Sequence, residues 1–105
     1  MFTRMQGKRG VTSDEGYSVV RGGSPITAFY IEYREAGRTL RYELDNLVAG
    51  AVDSIVVQSV GPWLPPHEKV PLSPQDQERI AERMCQAMAY LGDTVRVVSH
   101  RPGYS

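Results

Sequence analysis

Two runs of alternating apolar and polar residues, ITAFYIEYRE and RTLRYELD, are separated by only Ala36 and Gly37. So short a connection between strand-like runs predicts a β-hairpin in which Glu35 faces Arg38, and this first pair fixes all the others. Side chains alternate along a strand, so the apolar pairs share one face: Tyr33 with Leu40, Ile31 with Tyr42, and Phe29 with Leu44. A register shifted by one residue would turn one strand's apolar set into water. No other feature of the sequence constrains the fold as strongly.

The opposite face of the same hairpin carries polar pairs: Arg34 with Thr39, Glu32 with Arg41, and Tyr30 with Glu43. Opposite charges such as Glu32 and Arg41 stabilise a facing pair by roughly 0.2–1 kcal/mol. We therefore expect another element to cover the apolar face, and the polar face to be open to solvent or to a partner.

A long amphipathic helix later in the chain can supply that cover. Ser73 is suited to the N-cap, Pro74 to the first helical position and acidic Asp76 to the third. Gly92 is suited to a left-handed stop, so the helix is expected to run to about Leu91. Its apolar residues fall at helical spacing and form one stripe: Ile80, Met84, Ala87, Met88 and Leu91, broadened by Ala81 and Tyr90.

Three further strands are predicted around these units. The run YSVVR is closed by GGSP, where Gly22, Gly23 and Pro25 indicate a turn. SIVVQSV predicts a fourth strand and TVRVVSH a fifth, because both are rich in β-branched residues. The connection DNLVAGAVD has mixed signals.

The resulting order is β-β-β-β-α-β, which predicts the α+β fold class. In this two-layer fold a mostly antiparallel sheet of four to five strands carries one long helix packed on one face. Residues 17–100 are expected to form this single domain. Residues 1–16 are polar and lack periodicity, so a flexible N-terminal arm is expected there, and a frayed C-terminus at residues 101–105.

Composition limits the partners and the compartment. The 105 residues suit one domain, and 12 basic against 12 acidic side chains give no net field to attract nucleic acid. The single cysteine, Cys85, excludes an internal disulfide and fits a reducing compartment. No apolar run approaches the ~18 residues of a membrane span. A cytoplasmic protein without a membrane partner is therefore expected.

No set of side chains predicts catalysis or a bound cofactor. His67 and His100 lack the spacing with Cys85 that metal ligands need. Cys85 lies on a helix flank, where packing is more common than nucleophilic chemistry. Glu68 follows His67 in an extended segment, so the two side chains point to opposite sides. We expect no enzymatic activity, no metal and no organic cofactor.

The segment GPWLPPHEKVPLSP, residues 61–74, holds five of the chain's seven prolines and its only tryptophan. Prolines such as Pro65 and Pro66 can carry the chain from a strand to the helix with little entropy left to lose. Trp63 and Leu64 are expected to cap one end of the core, because a lone tryptophan usually buries a large area. The segment is then expected to present three polar residues outward: His67, Glu68 and Lys69.

Together these features resemble a family of small bacterial immunity proteins of polymorphic toxin systems. The resemblance covers roughly residues 17–98: the hairpin YIEYREAGRTLRYEL, a strand leading into WLPPHE, the helix SPQDQERIAERMCQAM and a short closing strand. Its most specific part is the Trp-x-Pro-Pro-His run from Trp63 to His67. The family implies a non-enzymatic protein that binds and neutralises a cognate toxin domain. The neutral charge gives no support for a nuclease as that toxin.

If the family assignment holds, the interface should combine the proline-rich loop with the open face of the sheet. The candidate residues are His67, Glu68 and Lys69 on the loop and Tyr30, Glu32 and Arg41 on the sheet. Two alternatives remain open. The open face could serve a small nucleic-acid-binding module, or the chain could be a subunit of a self-assembled complex such as a homodimer.

Overall fold

The structure, a computed structural model, describes residues 1–7, 9–24, 28–44, 53–93 and 95–98. The helix is α1, Pro74–Tyr90, and a 3₁₀ turn covers Val57–Ser59. The strands are β1, Phe2–Arg4; β2, Gly10–Ser13; β3, Tyr17–Ser24; β4, Ala28–Glu35; β5, Arg38–Leu44; β6, Asp53–Val56; and β7, Val95–Val98. Strands β1 to β5 form a five-stranded antiparallel sheet in sequence order, and α1 packs on one face of it. The expected α+β class is confirmed.

The hairpin register is confirmed at every position. Strands β4 and β5 pair Glu35 with Arg38 and continue in register to Phe29 with Leu44. The turn residues Ala36 and Gly37 have φ of 52° and 76°, so both are left-handed, as in a type I′ turn. Glycine takes this conformation at no steric cost, whereas Ala36 is held in it by the flanking strands.

The core lies between the apolar face of the hairpin and α1. Ile31, Tyr33 and Leu40 are fully buried, and the predicted stripe of the helix is buried opposite them: Ile80, Ala81, Met84, Ala87, Met88 and Leu91. Tyr90 departs from the prediction, since 46% of it is exposed. Its ring lies 5.4 Å from that of Phe2, at the edge of the sheet rather than in the core.

Both ends of α1 match their sequence signals. The Ser73 side chain accepts a hydrogen bond from the Asp76 N–H, and the Asp76 carboxylate accepts one from the Ser73 N–H, which completes a capping box. These bonds hold the pKa of Asp76 below its usual value. Leu91 is the C-cap, and Gly92 follows with φ 93°, the left-handed stop.

The expected flexible arm at residues 1–16 is wrong, because β1 and β2 extend the sheet beyond β3. Val11 and Ser13 are buried on the helix side, and the Met1 carbonyl accepts a hydrogen bond from the Asp14 N–H. Each of these strands carries too few apolar side chains to show an alternation in the sequence. Their place is set by pairing, of β2 with β3 and of β1 with β2.

The turn expected at Gly22 and Gly23 is also wrong, since both residues lie in β3 and pair with Tyr30 and Phe29. A side chain at Gly22 would collide with the ring of Tyr30, which lies across the glycine backbone. The Tyr30 ring covers the backbone of Gly22, and this explains why a glycine lies inside the strand. Pro25 lies outside the described residues.

The fourth predicted strand does not join the main sheet. Instead β6 pairs in parallel with β7 as a separate two-stranded sheet, so that β6, α1 and β7 form a β-α-β crossover. The Tyr42 hydroxyl links this unit to the main sheet, because it accepts from the Val56 N–H at 2.9 Å and donates to the Ser54 carbonyl at 3.4 Å. The predicted frayed residues 101–105, His100 and most of DNLVAGAVD lie outside the described residues.

Trp63 caps the core as predicted, with only 2% of it exposed. Its ring centroid lies 6.4 Å from that of Tyr33, and the Arg38 guanidinium lies 5.5 Å above it. Leu64 does not share this role, because 37% of it is exposed. Of these two residues, only Trp63 therefore belongs to the core.

Replacing Trp63 with alanine should lower the free energy of unfolding by about 3–5 kcal/mol, because it empties a large buried site. Urea denaturation measures this loss. Leu64→Ala is the matched control, and its unfolding free energy should stay within about 0.5 kcal/mol of the unchanged protein, as for other surface sites. Equal losses in the two variants would contradict the inward position of the indole.

Candidate functional site

The face of the main sheet opposite α1 is covered by no described element. Its side chains alternate with the buried ones along β2 to β5. We call this surface the outer sheet face, and it consists of Thr12, Ser18, Val20, Tyr30, Glu32, Arg34, Thr39, Arg41 and Glu43. The predicted candidates Tyr30, Glu32 and Arg41 all lie on this face. Arg41 is in contact with both of the others.

Glu32 is the electrostatic centre of the outer sheet face. Its carboxylate lies 2.9 Å from the Arg34 guanidinium and 3.6 Å from that of Arg41, and only 16% of its side chain is exposed. The Arg41 guanidinium also lies 4.1 Å above the Tyr30 ring, a cation–π distance. The face therefore presents two guanidinium groups and the edge of an aromatic ring above a largely covered carboxylate.

The proline-rich loop, residues 61–72, is attached to the rest of the fold at several points. Trp63 anchors it in the core, and the Leu64 N–H donates to the Thr39 carbonyl of β5 at 2.7 Å. The Gln77 side-chain amide of α1 donates at 3.0 Å to the carbonyl of Val60, the residue immediately before the loop. Two turns close inside the loop, where the His67 N–H donates to Leu64 and the Val70 N–H to His67. The Gly61–Pro62 and Pro65–Pro66 peptide bonds are cis.

A shallow groove of about 390 Å³ runs along this loop. We call it the loop groove, and its lining mixes apolar with polar side chains: Gln58, Val60, Pro62, Glu68, Lys69, Val70, Pro71, Leu72 and Gln77. Glu68 and Lys69 are exposed as predicted. His67 projects less than predicted, because it is half-buried in the turn and does not line the groove.

The proline-rich loop meets the outer sheet face at β5, but no residue of β5 lines the loop groove. Thr39 belongs to the outer sheet face, and its carbonyl holds Leu64 of the loop. Within the described residues, no hydrogen bond or ion pair joins the candidates His67, Glu68 and Lys69 to Tyr30, Glu32 or Arg41. A partner that uses both surfaces must therefore reach across the edge of the sheet.

A polar cluster around Arg83, on the helix side of the main sheet, was not predicted from the sequence. The Nη1 atom of Arg83 donates to the Tyr33 hydroxyl at 3.1 Å and to Glu35 at 3.0 Å, while its guanidinium lies 4.6 Å above the Tyr17 ring. The Tyr33 hydroxyl in turn donates to Glu35. The one sequence signal for these contacts is the length of the arginine side chain, which can reach the sheet from the flank of the helix.

Burial and the hydrogen bond to the Glu35 carboxylate raise the pKa of Tyr33, and burial raises that of Tyr17. A phenol that keeps its proton is a hydrogen-bond donor, not a base. The cluster therefore joins α1 to the sheet through a protonated phenol. An open depression of about 420 Å³ beside it lies between the turns that join β2 to β3 and β4 to β5.

Cys85 is a partly buried thiol that packs against β7. Its Sγ donates to the Val95 carbonyl at 3.0 Å, and burial raises its pKa, which lowers the fraction of reactive thiolate. Among the residues that the structure describes, no three His, Cys, Asp or Glu side chains lie close enough to hold a metal ion. In the same part of the chain, no helix is long and apolar enough to cross a membrane.

Comparisons of the chain with protein-family models, with curated proteins and with solved structures found no match.

The raised pKa of Tyr33 predicts a loss of stability at high pH. Above about pH 10 the unfolded chain releases the tyrosine proton while the folded protein keeps it, so the free energy of unfolding should fall as the pH rises. Urea denaturation between neutral and strongly basic pH measures this slope. Tyr33→Phe should be less stable than the unchanged protein at neutral pH and should show a shallower slope. Identical slopes would contradict the environment assigned to Tyr33.

Proposed function

We propose that this chain is a non-enzymatic immunity protein that binds and neutralises a cognate bacterial toxin domain. The observation that carries the proposal is the construction of the proline-rich loop. A buried indole and hydrogen bonds to both β5 and α1 hold the loop, and Glu68 and Lys69 remain exposed along its groove. The same segment contains the Trp63-to-His67 run on which the resemblance to immunity proteins depends.

Rigidity of the loop favours recognition of a folded partner. Binding costs free energy for each loop or side chain that must become ordered, so a segment already fixed by prolines and by its anchors loses little on association. The lining of the loop groove combines apolar side chains such as Leu72 with the opposite charges of Glu68 and Lys69. Such a combination can fix both the position and the orientation of a protein partner.

The outer sheet face extends this proposed interface on the far side of β5. Its arginines and Tyr30 belong to the residue types most often found at binding hot spots. The ion pairs around Glu32 hold these side chains in place before a partner arrives. A toxin domain that touches both the loop groove and this face would cover the β5 edge between them.

Nucleic acid fits the outer sheet face less well than protein does. One face of the Tyr30 ring is already taken by the Arg41 guanidinium, and the arginines share the charge of Glu32. Base stacking and phosphate contacts would have to displace these pairs. Binding to a random oligonucleotide that weakens steeply with salt would favour the nucleic-acid alternative over the proposal.

The proposal predicts that a gene upstream of this one encodes a large secreted protein with a variable C-terminal toxin domain, and it is tested with that domain. The purified chain should form a stoichiometric complex with that domain and restore growth of cells that express it. Glu68→Ala and Lys69→Ala should each weaken the complex about tenfold, as for residues near the centre of an interface, with an unchanged melting temperature. Gln86→Ala, on the exposed side of α1, is the control and should bind as the unchanged protein does. Absence of a complex, or full affinity in both loop variants, would overturn the proposal.

A second test displaces the Tyr30 ring of the outer sheet face and compares that displacement with the removal of the ring. Gly22→Ala places a methyl group where the Tyr30 ring lies, so the ring must swing away while the strand is kept. If this face contacts the toxin domain, Gly22→Ala should lower the affinity about as much as Tyr30→Ala does. Calorimetric titration gives both affinities. Full affinity in both variants would restrict the interface to the loop.

A further inference from the structure

Strand β1 leaves one edge of the main sheet open. The Met5 N–H donates to Gly10 of β2 at 2.9 Å, and the Met1 carbonyl accepts from the Asp14 N–H at 3.2 Å. Because hydrogen-bonded pairs alternate along an antiparallel ladder, the backbone N–H and C=O groups of Phe2 and Arg4 point away from β2. No described residue pairs with them. At the opposite edge the Thr39 carbonyl is already bonded to the loop.

Positive charge collects beside this open edge. The Asp93 Oδ1 atom lies 2.7 Å from a nitrogen of Arg9 and 2.9 Å from one of Arg21, so one carboxylate serves two guanidinium groups. Arg4 has no carboxylate partner among the described residues. The Arg9 side chain remains 53% exposed, which leaves it able to contact a further anion.

An exposed aromatic ring completes the patch. Tyr90, at the end of α1, packs against the Phe2 ring on one side and lies 5.8 Å from the Arg4 guanidinium. Cations near a helix C-terminus interact favourably with the helix dipole. This interaction accounts for the position of Arg9 and Arg21 near Asp93, just beyond the end of α1. That effect does not account for the half-exposed tyrosine or for the unpaired backbone groups of β1.

From these features we infer that the β1 edge binds an extended acidic segment of a protein partner by strand addition. The incoming backbone pairs with Phe2 and Arg4, and its alternate side chains place carboxylates on the helix side, within reach of Arg4 and Arg9. A second copy of this chain is a poorer occupant, because edge-to-edge pairing would bring two positively charged patches together. The site lies at the opposite end of α1 from the loop groove and does not depend on the proposed function.

The probe is a blocked peptide of about eight residues with alternating threonine and glutamate, which suits a strand and puts every carboxylate on one face. Titration at low salt, followed by amide NMR shifts, gives both its affinity and its location. The amides of Phe2 and Arg4 should shift on binding. Arg4→Ala and Arg9→Ala should each weaken binding about fivefold, as for the loss of one partly exposed ion pair.

Proline at position 4 separates backbone pairing from charge. Arg4→Pro removes an N–H that β2 does not use, and proline is tolerated on edge strands. It should abolish peptide binding, whereas Arg4→Ala only weakens it. If Arg4→Pro does not fold, the two alanine variants decide the matter. Lys69→Ala is the control, because it removes one positive charge from the loop before α1, far from the β1 edge. Its affinity for the peptide should be unchanged.

Three results would overturn the inference. The peptide could fail to bind, or bind without shifting the β1 amides. Arg4→Ala and Arg9→Ala could both retain full affinity. A random single-stranded DNA could bind at these residues more tightly than the peptide, which would make the patch a nucleic-acid surface. None of these measurements involves the toxin domain, so their outcome is independent of the proposed function.

Discussion

The register of the β4–β5 hairpin is the constraint on which the rest of the structure depends. The left-handed turn at Ala36 and Gly37 sets one pairing, and that pairing sends Ile31, Tyr33 and Leu40 to one side of the sheet. Helix α1 covers that side. The same alternation leaves the guanidinium groups and Tyr30 on the outer sheet face. A surface available to a partner is therefore a direct consequence of how the core is formed.

Helix α1 is held to the sheet mainly by its apolar stripe, and polar contacts fix its two ends. In its second turn Arg79 pairs with Glu35 of the sheet, and just beyond its last residue Asp93 binds Arg9 and Arg21. Partly exposed ion pairs of this kind usually contribute about 1 kcal/mol or less each, so they orient the helix more than they stabilise it. The loop groove adjoins the start of α1 and the β1 edge adjoins its end, so these contacts also hold the two surfaces in place.

The sequence predicts the hairpin, the helix and the buried tryptophan because each depends on local chemistry. Alternation, a capping box and Gly92 can be read without knowing what lies nearby. The missed elements depend on distant partners. Strand β2 is placed by pairing with β3 and β1 by pairing with β2, Gly22 stays in a strand because Tyr30 covers it, and β6 pairs with β7 across the crossover formed by α1. The groove beside Glu68 and the arginines around Asp93 likewise arise only when separate elements meet.

Trp63 anchors the proline-rich loop in the core, while Glu68 and Lys69 stay outside. Trp63 is the only tryptophan, so intrinsic fluorescence reports its environment directly. Acrylamide quenching of the folded protein is the most direct test. We predict a blue-shifted emission that acrylamide barely quenches and that shifts to red only when urea unfolds the chain. An emission from the native protein that is already red-shifted and freely quenched would contradict the account.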